Sequence, residues 1–271
     1  VVWGYNRGFV FDDKCAYLTA HGFDFIIAPG ASTWGSMFFD AKTAAPNIQN
    51  AVRAAKKYRG LGILLTDWGD FGHMPFSFSA NVPIVYSGGV AWNCDGCEDF
   101  SLAQDYADRE LYKCEKGSLS RFIADVGTID RNRGGWSENL KDSWYLPFDE
   151  YEEKVTPDSI DADKNSLFAF RDKLDKLVFS CHDADLLRAE VELSIDIMLY
   201  TFDFRRIKYE YRDMGSVENI DERCDALEKR ISVLTERFIA LWNRRNKPAG
   251  GGNALRTMKQ RISMYREAAK H

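Results

Sequence analysis

Within residues 62–73, GILLTDWGDFGH, an apolar run ends in a tryptophan set among two acids, two glycines and a histidine. Side chains two apart along an extended strand project to the same face, so Trp68 and Asp70 are expected to point one way and Asp67 the other. An indole beside a carboxylate suits a pyranose. The ring covers the sugar's C–H patch, and the carboxylate accepts hydrogen bonds from neighbouring hydroxyls. Trp3 and Tyr5 in VVWGYN repeat the i, i+2 relation, and Trp34 follows a further apolar run in FDFIIAPGASTWGS. Taken singly, a tryptophan is more often a core residue than a ligand platform. Three of them after three successive apolar runs would wall one pocket if those runs are neighbouring strands. Asp67 is free to hold adjacent loops, and His73 to cap or brace the turn.

The elements that must position these residues follow from periodicity. VVWGYN is a short strand; DDKCAYLTAHG is a helix with Asp12 or Asp13 placed to cap it and Gly22 to stop it. FDFIIAPG is a second strand, apolar enough to be covered on both faces as parallel strands are. APNIQNAVRAAKKYRG is a helix with Ile48, Val52, Ala55 and Tyr58 on one stripe, and LGILLTDWGD is a third strand. Strand–helix repetition with short connections predicts a parallel sheet or part of a β/α barrel over residues 1–97. Residues 98–160 form a connection of short helices (98–114 and 117–126) and an irregular stretch. Residues 161–271 form a helical bundle, helical and heavily charged from about Ser166. Its helix over 198–204 is apolar on most sides, hence central. Apolar residues at 217, 220, 224, 227, 231, 234, 238 and 241 make a heptad seam, expected to pack inside the bundle. KPAGGGNA (247–254) is a turn before a last helix.

The chain has 271 residues, a formal net charge of −5 and an aromatic share of 14%, ample for a real core. A mildly acidic surface argues against general nucleic-acid binding, which rests on clustered positive charge. No apolar run approaches the roughly 18–20 residues that span a bilayer, and no signal-peptide pattern opens the sequence. No nucleic acid and no membrane is therefore expected as a partner, and a cytoplasmic setting is favoured. The opening at Val1, with strand-like residues and no methionine, reads as a piece of something longer. Cys94 and Cys97 form a C-x-x-C, while Cys15, Cys114, Cys181 and Cys224 stand apart. A zinc site needs a second ligand pair, and His21, His73, His182 and His271 lack ligand spacing. Reduced structural cysteines are expected, with no metal and no cofactor.

The segments PGASTWGSMF, NIQNAVRAAKKYRGLGILLTDWGDFGH and GGVAWN together resemble the last three strands of the catalytic barrel of glycoside hydrolase family 20, the β-N-acetylhexosaminidases. The likeness is strongest to the bacterial branch whose barrel precedes a helical domain, and it covers roughly residues 1–95. It implies an α/β then all-α chain: the C-terminal three strand–helix units of a (β/α)8 barrel followed by a helical bundle. It also implies retaining, substrate-assisted removal of terminal β-linked GlcNAc or GalNAc. In that scheme the substrate's N-acetyl carbonyl attacks the anomeric carbon to give an oxazolinium ion. A glutamate acts as acid and then base, and the preceding aspartate orients the acetamido group. By resemblance Trp68 is a subsite wall and Asp70 the ligand of the distal hydroxyls, with Trp34, Trp3 and Tyr5 completing the surround. The partner is an N-acetylhexosamine-containing glycan.

One departure stands out. The family's Asp-Glu pair closes the fourth strand, and this chain begins near the sixth. Asp149-Glu150 and Asp221-Glu222 are adjacent pairs, but neither closes a strand; the second sits on the heptad helix as solvated surface. No catalytic residue is expected here, and the isolated chain is expected to be inactive. Three open strands with bare edges predict a complementing N-terminal fragment or self-association. The alternative is a non-catalytic interaction module that binds a partner through the heptad face of its helical bundle.

Overall fold

The computed structural model describes residues 1–69, 73–129, 156–215, 217–248, 256 and 259–260. Three short strands, β1 (Val2–Trp3), β2 (Ile26–Ala28) and β3 (Gly62–Ile63), form one parallel sheet in the order β1-β2-β3. Between them run α1 (Asp12–Ala20) and α2 (Ala41–Lys57). The register pairs Val2 with Ile27 and Ile27 with Ile63, so these side chains share one face. That face packs on both helices in a core with Phe11, Cys15, Phe25, Ala51, Ala54 and Ala55. The opposite face is covered unevenly: Ala28 at its centre is buried, whereas Trp3 on β1 is 59% exposed and Leu64, just past β3, 53%. A parallel sheet is ordinarily covered on both sides. Here the second side is covered at β2 and exposed at β1.

Two local expectations are corrected. Helix α1 starts at Asp12, and no side chain caps it; Asp12 instead takes Lys57 at 2.5 Å and the Tyr58 hydroxyl at 2.9 Å, tying α1 to α2. The strands are also shorter than their apolar runs. β3 ends at Ile63, and beyond it only a Gly30–Thr66 bridge continues the pairing. Strand alternation therefore does not set where Trp68 points.

After β3 come α3 (Phe78–Trp92), α4 (Phe100–Tyr106), a π-helical turn (Ala107–Tyr112) and α5 (Leu119–Val126). Asp108, fully buried in the π turn, accepts from Ser118 N at 2.9 Å, Ser120 N at 2.7 Å and Ser120 Oγ at 2.8 Å. These backbone donors at the start of α5 have no intrahelical partner, and they make a buried carboxylate tenable.

Among the described residues the bundle comprises α6 (Pro157–Leu174), α7 (Ala184–Met214) and α8 (Ile220–Arg245); the last helix expected after the 247–254 turn falls mostly outside the described residues. Helix α6 begins earlier than its charge pattern suggests. Thr156 and Ser159 form a capping box, and Pro157 takes the first helical position, where its missing N–H costs nothing. Helix α7 is central: Leu193, Ile195, Ile197, Met198, Phe202 and Phe204 are all buried, with α6 and α8 packed against it. On α8, Cys224, Leu227, Ile231, Leu234 and Phe238 are buried in the same core. The heptad seam is thus consumed inside the chain. The same core takes in Ala44, Ile48 and Val52 of α2, and α2 lies between the sheet and α3. Phe76 packs on Phe238 with ring centres 5.0 Å apart, which seats the loop after β3 directly on α8. No helix among the described residues is long and apolar enough to cross a membrane.

Candidate functional site

At the carboxyl ends of the three strands, the aromatic residues meet. Tyr5, two residues past β1, is the hub. It stacks on Trp3 with ring centres 5.5 Å apart at 22°. It meets Trp34 edge-on at 5.3 Å and Trp68 edge-on at 6.2 Å. Offset stacked and edge-to-face arrangements are the favoured geometries for aromatic pairs, each worth about 0.5–1.5 kcal/mol beyond area burial. The cluster is nevertheless open to solvent: Trp68 is 46% exposed, and Trp34 and Tyr5 are half-buried. The cluster thus keeps part of its aromatic surface accessible, unlike a core tryptophan enclosed by aliphatic side chains.

Backbone placement explains how rings from such distant segments converge. Asn47 of α2 is completely buried. Its Nδ2 donates to Gly4 O and Asn6 O, each at 3.0 Å, and its Oδ1 accepts from Gly30 N at 3.0 Å. One side-chain amide thereby clamps the backbone on either side of Tyr5 to the β2 exit that leads to Trp34. Gly30 is required there. A Cβ on it would lie 2.3 Å from Trp34 Cη2 and 2.9 Å from Tyr5 Cδ1, inside any real contact distance.

The third ring is held by a charged brace. Asp67 accepts a hydrogen bond from the Thr33 hydroxyl, and its other oxygen lies 3.3 Å from His73 Nε2. His73 Nδ1 is 3.0 Å from Pro75 O; protonated, the imidazole donates to both. The hydrogen bond with Asp67 raises the His73 pKa above its ordinary value, against the opposing effect of burial. Thr33 precedes Trp34 and Asp67 precedes Trp68, so this contact fixes two loops with their tryptophans attached.

No protein-family model matches the sequence, and no curated protein is significantly similar to it.

The remaining expected residues fall as follows. Asp70 and the Asp149-Glu150 pair lie outside the described residues. Asp221 and Glu222 stand exposed in the first turn of α8, where carboxylates interact favourably with the helix dipole. All six cysteines are free thiols, with Cys94 buried and Cys97 half-buried. Among the described residues no group of three or more His, Cys, Asp or Glu side chains is placed to hold a metal ion. Asn47, Thr33 and Gly30 were not singled out from the sequence. For Asn47 a signal existed: it is a polar residue on the buried stripe of α2, three after Ala44 and four before Ala51.

Proposed function

We propose that this chain is the C-terminal part of a retaining, substrate-assisted exo-β-N-acetylhexosaminidase acting on terminal β-linked GlcNAc or GalNAc. Its three strands would belong to a (β/α)8 barrel, with the catalytic Asp-Glu pair supplied from upstream. The observation that supports this reading is the convergence of Trp3, Trp34 and Trp68 on Tyr5 at the carboxyl ends of three parallel strands. That end of the strands is where β/α barrels carry their active sites. In this reading Trp34 and Trp68 flank the acetamido group, Trp3 and Tyr5 extend the apolar wall, and Asp70 takes the distal hydroxyls. An aromatic enclosure holds the acetamido methyl and turns its carbonyl oxygen toward the anomeric carbon. The upstream glutamate would protonate the leaving oxygen and later activate water.

The exposed apolar side chains of the α/β layer fit the same proposal. Val1, Trp3, Leu61, Leu64, Ile84 and Trp92 are all large, apolar and exposed, and all lie on or beside the α/β layer. Strands β1 and β3 are its unpaired edges. In the parent enzyme the remaining strand–helix units cover them; in the isolated chain self-association does. The alternative, an interaction module that offers its heptad face, needs an exposed seam. That seam is packed against α7. The direct test is the isolated chain on an aryl N-acetyl-β-glucosaminide. No turnover is expected, and turnover should appear when an N-terminal fragment carrying the Asp-Glu pair is added. Robust hydrolysis by the chain alone would overturn the placement of the catalytic pair.

A further inference from the structure

The bundle carries a repeated charge pattern remote in sequence from the aromatic cleft. Asp196 of α7 is paired with Arg171 of α6 at 3.0 Å and with Arg237 of α8 at 2.7 Å. Asp203, also on α7, is paired with Lys164 of α6 and Arg230 of α8. On each helix the two positions are seven residues apart, so the rungs repeat after two turns, about 10 Å along the axis. Each rung sets two cations around one carboxylate and is left with an excess positive charge. The rung arginines are not sealed away: Arg171, Arg230 and Arg237 keep 45%, 40% and 42% of their side-chain surface exposed.

Helices α6 and α8 both pack on α7, and a groove of about 480 Å³ runs between them. Four bases line it, Arg171, Lys229, Arg230 and Arg237, against one acid, Asp196. This is opposite in sign to the chain as a whole, whose net charge is −5. The rest of the lining is apolar, with Leu199 and Leu234 buried at the base and Phe168 (47% exposed) and Val233 (55% exposed) at the rims.

We propose that this groove docks an acidic amphipathic helix of a partner protein, which would lie on α7 between α6 and α8. Carboxylates spaced seven residues apart on that helix meet the two rungs and take the guanidinium N–H groups the aspartates leave free. Apolar side chains at i+3 and i+4 rest on Phe168 and Val233, the usual anchoring pattern of a helix in a groove. A sulfated glycan or a nucleic acid matches this lining less well. Such polyanions are bound by tracks of positive charge, and much of the groove surface is carbon. The inference is independent of the sugar reading.

The test is fluorescence anisotropy on the full chain with a labelled helical peptide of roughly three heptads. The peptide carries Glu at i and i+7 and Leu at i+3 and i+4; comparison ligands are its Glu→Lys counterpart and a heparin oligosaccharide. Saturable binding of the acidic peptide is expected, weakening with salt and lost in the lysine version. The K229E/V233E variant changes two exposed positions, so its melting temperature should match the parent while affinity falls by about tenfold or more. The proposal is overturned by no saturable binding, by equal affinity in K229E/V233E, or by heparin binding more tightly than the peptide and displacing it.

Discussion

Replacing Asn47 by alanine should damage the aromatic cleft from behind. The amide makes three hydrogen bonds, to Gly4 O, Asn6 O and Gly30 N, all at 3.0 Å. The bonds to Gly4 O and Gly30 N are buried; the one to Asn6 O is partly so. A buried backbone group left without a partner costs about 1–3 kcal/mol, whereas a group that can turn to water costs far less. Two buried orphans therefore put N47A at about 2–6 kcal/mol less stable, on the order of 4–24 °C in melting temperature for a chain of this size. The assay is thermal and urea unfolding followed by tryptophan fluorescence, with amide exchange read at Gly30. Exchange at Gly30 should accelerate more than exchange in α7, because the loss is local to the strand exits. The near-ultraviolet signal of the coupled Tyr5 and Trp34 rings should shrink in the folded state. A variant within about 0.5 kcal/mol of the parent, the scatter of ordinary surface changes, would refute the idea that Asn47 clamps these two exits.

Gly30→Ala should disturb the rings more than the fold. The added methyl meets the far edge of Trp34 and the side of Tyr5, so the aromatic circular dichroism changes while stability falls by about 1–3 kcal/mol. The Asp67–His73 contact predicts a pH dependence. Because the folded His73 pKa is raised, its contribution is fully present below the unfolded value of about 6.5 and is lost as pH rises through the folded value. His73→Gln should remove that slope above pH 6.5, which stability measured across neutral pH will read. Phe238→Ala empties the contact under Phe76 and should cost about 3–5 kcal/mol, with faster amide exchange in residues 73–77 as well as in α8.

The layout was legible where the apolar period was clean. The strand–helix alternation of the first sixty residues and the heptad seam of α8 both followed from spacing. So did the central place of α7, because a helix apolar on most sides must be largely enclosed. Helix α3 was hidden. Its residues are apolar almost throughout, and Pro83, Gly88 and Gly89 mask the helical period with residues that usually interrupt one. The start of α6 carried a readable signal in Thr156, Pro157 and Ser159, but the charge pattern drew attention further along.

For the candidate site, the aromatic residue types and their positions after apolar runs were visible, whereas what holds them was not. Strand alternation does not reach Trp68, which lies beyond the end of β3. Its position depends on Asp67 reaching Thr33, 34 positions earlier in the chain, and no local spacing rule contains that contact. Asn47 similarly binds Gly4 and Asn6 across more than 40 positions. Tertiary hydrogen bonds of this kind leave only a faint mark in sequence, a polar residue on an apolar stripe.

The central claim is that Trp3, Trp34 and Trp68 form one surface made for an N-acetylated sugar. Indole N–H resonances of the isotopically labelled chain, titrated with N-acetylglucosamine and in parallel with glucose, test it most directly. These three indoles should move together with N-acetylglucosamine, barely respond to glucose, and stop responding in the Tyr5→Ala variant. Unmoved indoles, or equal shifts with both sugars, would contradict it.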